Sequence, residues 1–250
     1  KINKIDNFVL CPEAMTSNCF YTITSIDRLN GKKLSPEWIK DRIEKSGIKA
    51  NNLLVDLTNY ILLEQGQPLH AFDKDKLSEL TGKEVLPQDF SIRKAYKNET
   101  LLCLDGKNYK LNENITIIAC CNKPVAIAGV IGGLESAVCD TTTSIYLEAA
   151  VFNPVSIRKS SKEIGVRTES SSRYEKGISS ENTIDSVTRA INILEEFFDI
   201  EPPIINTSNK LIKEEIFIKL RRNRIHNILG PIVNKIDNTN LNKRNLSDKE

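Results

Sequence analysis

From Phe20 to Ile26 apolar and hydroxylated residues alternate, a period-two pattern that predicts a strand. Ser35-Pro36 reads as an N-cap and a first-turn proline for a helix over Glu37 to Ser46, which Gly47 ends, with Trp38, Ile39 and Ile43 on its apolar side. A second helix, Leu53 to Glu64, presents Leu54, Leu57, Ile61 and Leu62 and stops at the breaker Gly66-Gln67-Pro68. The breaker fixes the direction of Leu69 to Asp73, so His70 should be held in place. Between Phe72 and Gln88 a short helix and a connection are expected.

From Ser91 the texture changes to short β-branched runs. Leu101 to Leu104 and Tyr109 to Leu111 flank Asp105-Gly106, a strong hairpin signal. Ile115 to Cys120, Val125 to Ile131 and Ile145 to Phe152 follow as apolar strands, which predicts one multi-stranded sheet in the middle of the domain. Asn153-Pro154 should start a helix that Gly165 closes. The Ser-rich stretch Thr168 to Lys176 leads to a long amphipathic helix with Ile184, Val187, Ile191 and Leu194 at spacings of three and four. Helices at both ends of a strand-rich middle predict an α+β fold, with central multi-stranded, largely antiparallel sheet layers flanked by helices. Glu201-Pro202-Pro203 suggests a boundary, giving a domain over 1–204. Residues 205–250 read as a linker and the start of a further helix-rich domain, including a basic amphipathic run from Glu215 to Leu229.

At 250 residues and 40% hydrophobic composition the chain can bury a large core. It opens on Lys1 and ends in a polar run, so it reads as a piece of a longer polypeptide. Lys and Arg number 35 against 33 Asp and Glu; from Asn209 onward the count is ten against five, leaving 25 against 28 for the main domain. That slightly acidic balance argues against a broad nucleic-acid groove on the main domain. Six cysteines without a C-x-x-C pair read as buried thiols and not as a metal site. No apolar run approaches the length of a membrane span. A cytoplasmic location is expected.

Four motifs stand in order along the chain: Val55 to Asp73 with its histidine; Ala126-Ile-Ala-Gly-Val-Ile-Gly-Gly133; Tyr146-Leu-Glu-Ala-Ala-Val-Phe152; and Gly165-Val-Arg-Thr-Glu-Ser-Ser-Ser-Arg-Tyr-Glu-Lys-Gly177. Each is informative on its own. His70 is one of two histidines, and Glu148 interrupts an apolar strand, where an ionised carboxylate is costly unless paired. Gly132 and Gly133 fit neither a dinucleotide fingerprint nor a P-loop, so they read as sites of close approach. Thr58 and Asn59 lie inside a helix, where local backbone bonding and a functional role are both open.

Taken together the motifs resemble the central editing region of the β subunit of bacterial phenylalanyl-tRNA synthetase, over roughly Pro12 to Lys210. The resemblance implies a site that hydrolyses mischarged Tyr-tRNA(Phe). It implies that Glu148 recognises the tyrosine hydroxyl, that a side chain at Gly132 would block the slot, and that Thr168 and Ser170 line it; if Glu148 is ionised, its carboxylate would accept the phenol hydrogen bond. It places His70, Asn59 and Thr58 near the scissile ester, with His70 expected to orient water or the terminal ribose. Ser170 departs from the usual Ala, Lys176 from Arg, and Ser179-Ser180 from Asp-Pro. The resemblance further implies a tRNA(Phe) partner and an α subunit that carries aminoacylation with ATP and magnesium. Two αβ pairs would form a heterotetramer, with no cofactor or metal in this segment. A non-catalytic structural or RNA-binding module with a decayed pocket is the alternative.

Overall fold

The computed structural model describes residues 5–7, 20–208, 219–230, 232–233 and 243–244. The chain divides into two compact units, Lys1–Leu211 and Ile212–Glu250. The first unit holds strands β1 (Ile5–Asn7) and β2 (Phe20–Ile26), helices α1 (Glu37–Lys45) and α2 (Leu53–Gln65), β3 (Leu69–Asp73) and α3 (Lys74–Thr81). Then come β4 (Phe90–Lys94), β5 (Thr100–Leu102), β6 (Asn108–Lys110), β7 (Thr116–Cys120), β8 (Lys123–Ile127), β9 (Ile131–Gly132) and β10 (Ile145–Val151). Helices α4 (Pro154–Ile164), α5 (Glu169–Tyr174) and α6 (Glu181–Glu195) and strand β11 (Ile205–Thr207) complete it.

The fold is α+β. One sheet has the order β1-β11-β2-β10-β3, antiparallel except for the β1–β11 pair, and a second antiparallel sheet has the order β4-β7-β8-β9. Strands β7 and β8 and strand β10, expected together in the middle of the domain, thus belong to different layers, and β5 and β6 pair separately. Strand β10 does not join its neighbours in sequence; it lies between β2 and β3, with Glu148 opposite Ile23 on one side and His70 on the other.

The period-two pattern of β10 sorts its residues between two cores. Ile145, Leu147 and Ala149 pack with Ile39 and Ile43 of α1, Leu57 and Ile61 of α2, and Val187 and Ile191 of α6. Tyr146 and Ala150 pack on the other face with Phe90, Ile117 and Ile127 of the second sheet. The layers are thus helices, first sheet, second sheet.

Local chemistry explains the elements and the departures from expectation. Asn153 caps α4 by accepting from the N–H groups of Val155 and Ser156, and Gly165 ends it in the left-handed conformation. Ser35 is not the cap of α1. Pro36 occupies that position, and the Ser35 hydroxyl donates instead to the buried Asp56 carboxylate at 2.6 Å. The expected strand Val125 to Ile131 is broken by a turn at Gly129, whose φ is +65°, and becomes β8 and β9. Cys121 leaves the strand for the tight turn after β7, with φ +47°. Cys103, Cys120, Cys121 and Cys139 are free thiols; Cys11 and Cys19 lie outside the described residues. The Ser-rich stretch forms α5, capped by Thr168.

Beyond Glu201-Pro202-Pro203 the chain pairs β11 with β2, so the first unit extends past residue 204. The second unit contains α7 (Arg222–Leu229) and a two-residue antiparallel pair, β12 (Ile232–Val233) and β13 (Lys243–Arg244). Residues 215–218 of the predicted basic helix lie outside the described residues.

Gln67 ties the helix layer to the sheet. Its amide donates to the carbonyls of Ala150 (2.9 Å) and Pro68 (3.1 Å) and accepts from the Thr183 hydroxyl of α6, all fully buried. Gln67→Leu keeps the bulk and removes all three bonds. A stability loss of about 2–4 kcal/mol is expected in urea unfolding, because buried partners are left unsatisfied; a loss under about 0.5 kcal/mol contradicts this role.

Candidate functional site

Helix α2 ends at Gly66 in the left-handed conformation, and Gln67-Pro68 turns the chain into β3. His70 is the second residue of that strand and stands directly opposite Glu148 of β10. Residues opposite one another in an antiparallel pair project from the same face. For these two that face is the one turned toward the second sheet, shared with Phe72, Tyr146 and Ala150. The His70 ring meets Phe72 edge-on, with centroids 4.5 Å apart.

A cavity of about 300 Å³ opens beside this pair. Thr58 and Asn59 of α2, His70 of β3, Gly132 of β9, Glu148 of β10, and Thr168 and Ser170 at the start of α5 all line it. Residues more than a hundred positions apart in sequence thus share one small chamber. Much of the rest of the wall is apolar, and it contains no Lys, Arg or Asp. The volume is at the small end for ligand sites, suited to an amino-acid side chain.

The electrostatics follow from burial. Glu148 is 4% exposed, and burial alone pushes its carboxyl up to about 8. No paired cation offsets that cost. His70 is driven the other way, down to about 4, and its Nε2 is buried without a hydrogen-bond partner. Burial without a facing counter-charge thus shifts both groups toward their neutral forms.

Gly132 owes its identity to contact and not to backbone conformation, since its φ is not in the left-handed region. A Cβ there would lie 2.4 Å from Cε1 and 2.8 Å from Nε2 of His70. The space kept open by this glycine is occupied by the imidazole, not by an empty slot. Gly133 is as constrained: a Cβ would meet the Val125 carbonyl oxygen at 2.6 Å.

The hydroxyls divide into committed and uncommitted. Thr168 donates to the Val130 carbonyl (2.8 Å) and accepts from the Ser171 N–H, so it builds the wall and has no free donor. Thr58 donates to the Val55 carbonyl within its own helix. Asn59 and Ser170 make no side-chain hydrogen bond among the described residues and face the cavity. With His70 and Glu148 they form a set of polar groups awaiting partners. Sequence reasoning missed Leu104, which lines the mouth at 47% exposure, and Tyr174, which closes the far wall against Phe152. Leu104 carried no signal beyond its hairpin. Among the described residues no cluster of three metal-ligating side chains occurs and no helix is long and apolar enough to cross a membrane.

The B3/4 domain family matches residues 17–199. The chain belongs to this family. It is 73% identical over 241 residues to the phenylalanine–tRNA ligase beta subunit of Prochlorococcus marinus (strain MIT 9312), covering 96% of this chain and 29% of that protein. To the subunit of the same description from Prochlorococcus marinus subsp. pastoris it is 69% identical over 254 residues, covering 100% of this chain and 31% of the relative. The chain thus spans under a third of the length of these relatives. An N-terminal fragment of the phenylalanyl-tRNA synthetase β-subunit from Pyrococcus horikoshii is similar at TM-score 0.45 and 13% identity, covering 94% of this chain and 63% of that one.

Two outcomes follow for this B3/4 domain. Gly132→Ala should push the His70 ring aside at a cost of about 1–3 kcal/mol; unchanged His70 ring resonances in NMR would contradict the contact. Stability should also depend on pH in a signed way. His70 binds its proton more weakly when folded, so stability rises with pH from about 4 to 6.5. Glu148 binds its proton more tightly when folded, so stability falls as pH rises from 4.5 to about 8. The two slopes oppose up to 6.5. Above that Glu148 acts alone, and about 2 kcal/mol should be lost by pH 8. Glu148→Gln should abolish that decline in urea titrations; the same decline in the variant would contradict the assignment.

Proposed function

We propose that this B3/4 domain is the editing site of a phenylalanine–tRNA ligase β subunit, hydrolysing tyrosine from mischarged tRNA(Phe). One observation carries the reading: a buried, unpartnered carboxyl, Glu148, stands in a chamber sized for one side chain and directly opposite His70. A phenol entering the chamber satisfies that carboxyl; a phenylalanine ring leaves it unpaired. Sites built to hydrogen-bond a hydroxyl reject the analogue lacking it by about 10⁴ to 10⁵.

Water adds to the ester carbonyl, the bond to the ribose oxygen breaks, and tyrosine leaves a free terminal hydroxyl on the tRNA. Asn59 offers an amide donor to the oxygen on which charge develops. His70, held near 4 by burial, resists taking up a proton, which favours orienting water or ribose over acting as a full base. Within the same proposal, an α subunit supplies aminoacylation with ATP and magnesium. Two αβ pairs assemble in the cytoplasm and tRNA(Phe) delivers the ester. A decayed pocket fits less well, because a scaffold gains nothing from an unpaired buried carboxyl that costs folding free energy.

The test is deacylation of Tyr-tRNA(Phe) by the ligase reconstituted around this domain. Wild type is expected to hydrolyse it. Glu148→Ala should cut the preference for Tyr over Phe esters by about tenfold or more, as one lost hydrogen bond requires. His70→Ala should slow hydrolysis of both esters and keep the preference. A wild-type enzyme that leaves Tyr-tRNA(Phe) intact sinks the proposal.

A further inference from the structure

The chamber constrains how the hydroxyl is read, beyond where it is read. Glu148 projects from the centre of β10 onto a face whose neighbours are known on every side. On β2 these are Tyr21, Ile23 and Ser25; on β3, His70 and Phe72; along β10 itself, Tyr146 and Ala150. From the second sheet Ile118, Ala126 and Ile127 line the same cavity, and from α2 and α5 come Asn59, Ser170 and Tyr174. The titratable groups among them are His70 and the three tyrosines Tyr21, Tyr146 and Tyr174. The Tyr146 hydroxyl donates to the Val85 carbonyl, and that of Tyr174 points to the Pro68 carbonyl. No cation faces the carboxyl, and the wall holds no Lys, Arg or Asp.

We propose that Glu148 selects the ligand as a neutral carboxylic acid, donating its own proton to an acceptor oxygen at the para position of an aromatic amino acid. This rests on the tyrosine reading of the cavity given above and deepens it. A carboxylate could only accept from the phenol. It would also have to keep its charge against a ring that displaces the remaining water, with no counter-ion on any wall. The acid form needs neither. It donates through O–H and leaves the phenol's proton free for a second acceptor, a place that the uncommitted Ser170 hydroxyl is available to fill. The ligand class is then para-hydroxylated aromatics bound in a charge-free chamber, and binding must fail when the acid ionises.

The pH dependence of amino-acid binding tests this with the wild-type protein and Glu148→Gln, whose amide is a neutral donor that cannot ionise. By calorimetry the wild-type affinity for tyrosine should be flat up to pH 7 and fall towards tenfold per unit above about 8. Glu148→Gln should retain the tyrosine preference at all pH values. A preference that strengthens as the pH rises and vanishes in Glu148→Gln overturns the proposal in favour of a carboxylate acceptor. The ligand-free protein gives an independent readout: a wild-type-minus-Glu148→Gln infrared difference spectrum at pH 7 should contain the carboxylic-acid C=O stretch. If neither amino acid binds, the tyrosine reading fails, and the spectrum still decides the protonation state: a carboxylate band there overturns the proposal by itself.

Discussion

The site depends on one pairing register, Glu148 of β10 against His70 of β3. In a strand the side-chain period is two, so a slip of one residue in either strand would turn its group away from the second sheet and into the helix-facing core. There Leu147 and Ala71 already fill the space. The register is held at both ends: by Gly66 and Pro68, which launch β3, and by the alternation of β10 between two cores. Gly132 then fixes the third coordinate, because its missing side chain is the room in which the imidazole sits.

Elsewhere several buried polar groups are paired, although Thr24 Oγ1 and Arg93 Nε, like His70 Nε2, have no partner among the described residues. Asp56 accepts from Ser35 and from the Asn51 N–H. Arg93 and Glu99 form a two-pronged pair. What distinguishes the site is that a carboxyl and an imidazole share one chamber without partners, each at a cost in folding free energy that packing must offset. The same cause, burial without counter-charges, shifts both toward their neutral forms.

Much of the local structure was legible in the sequence because its signals are short-range. Asn153 and Gly165 bracket α4, Asp105-Gly106 turns the β5–β6 hairpin, and Gly66 ends α2. What failed was non-local or conformational. Apolar runs near one another in sequence suggested one sheet, but β10 pairs with strands about seventy and more than a hundred residues away. Gly129 bends an apparently continuous strand, and the Ser-rich run forms α5 because Thr168 and Ser171 cap each other. The cavity-lining residues were named from motif order. That Gly132 seats His70, that the Thr168 hydroxyl is already spent, and that no cation faces Glu148 required coordinates, since no local pattern encodes what lies across a chamber.

The most direct measurement of the account is a crystal structure of the domain with tyrosine bound. The phenol oxygen should lie about 2.5–3.0 Å from a Glu148 carboxyl oxygen, with the amino-acid carboxyl toward His70 and Asn59. Tyrosine bound in the reverse sense, or outside the chamber while Glu148 stays unpartnered, would contradict it.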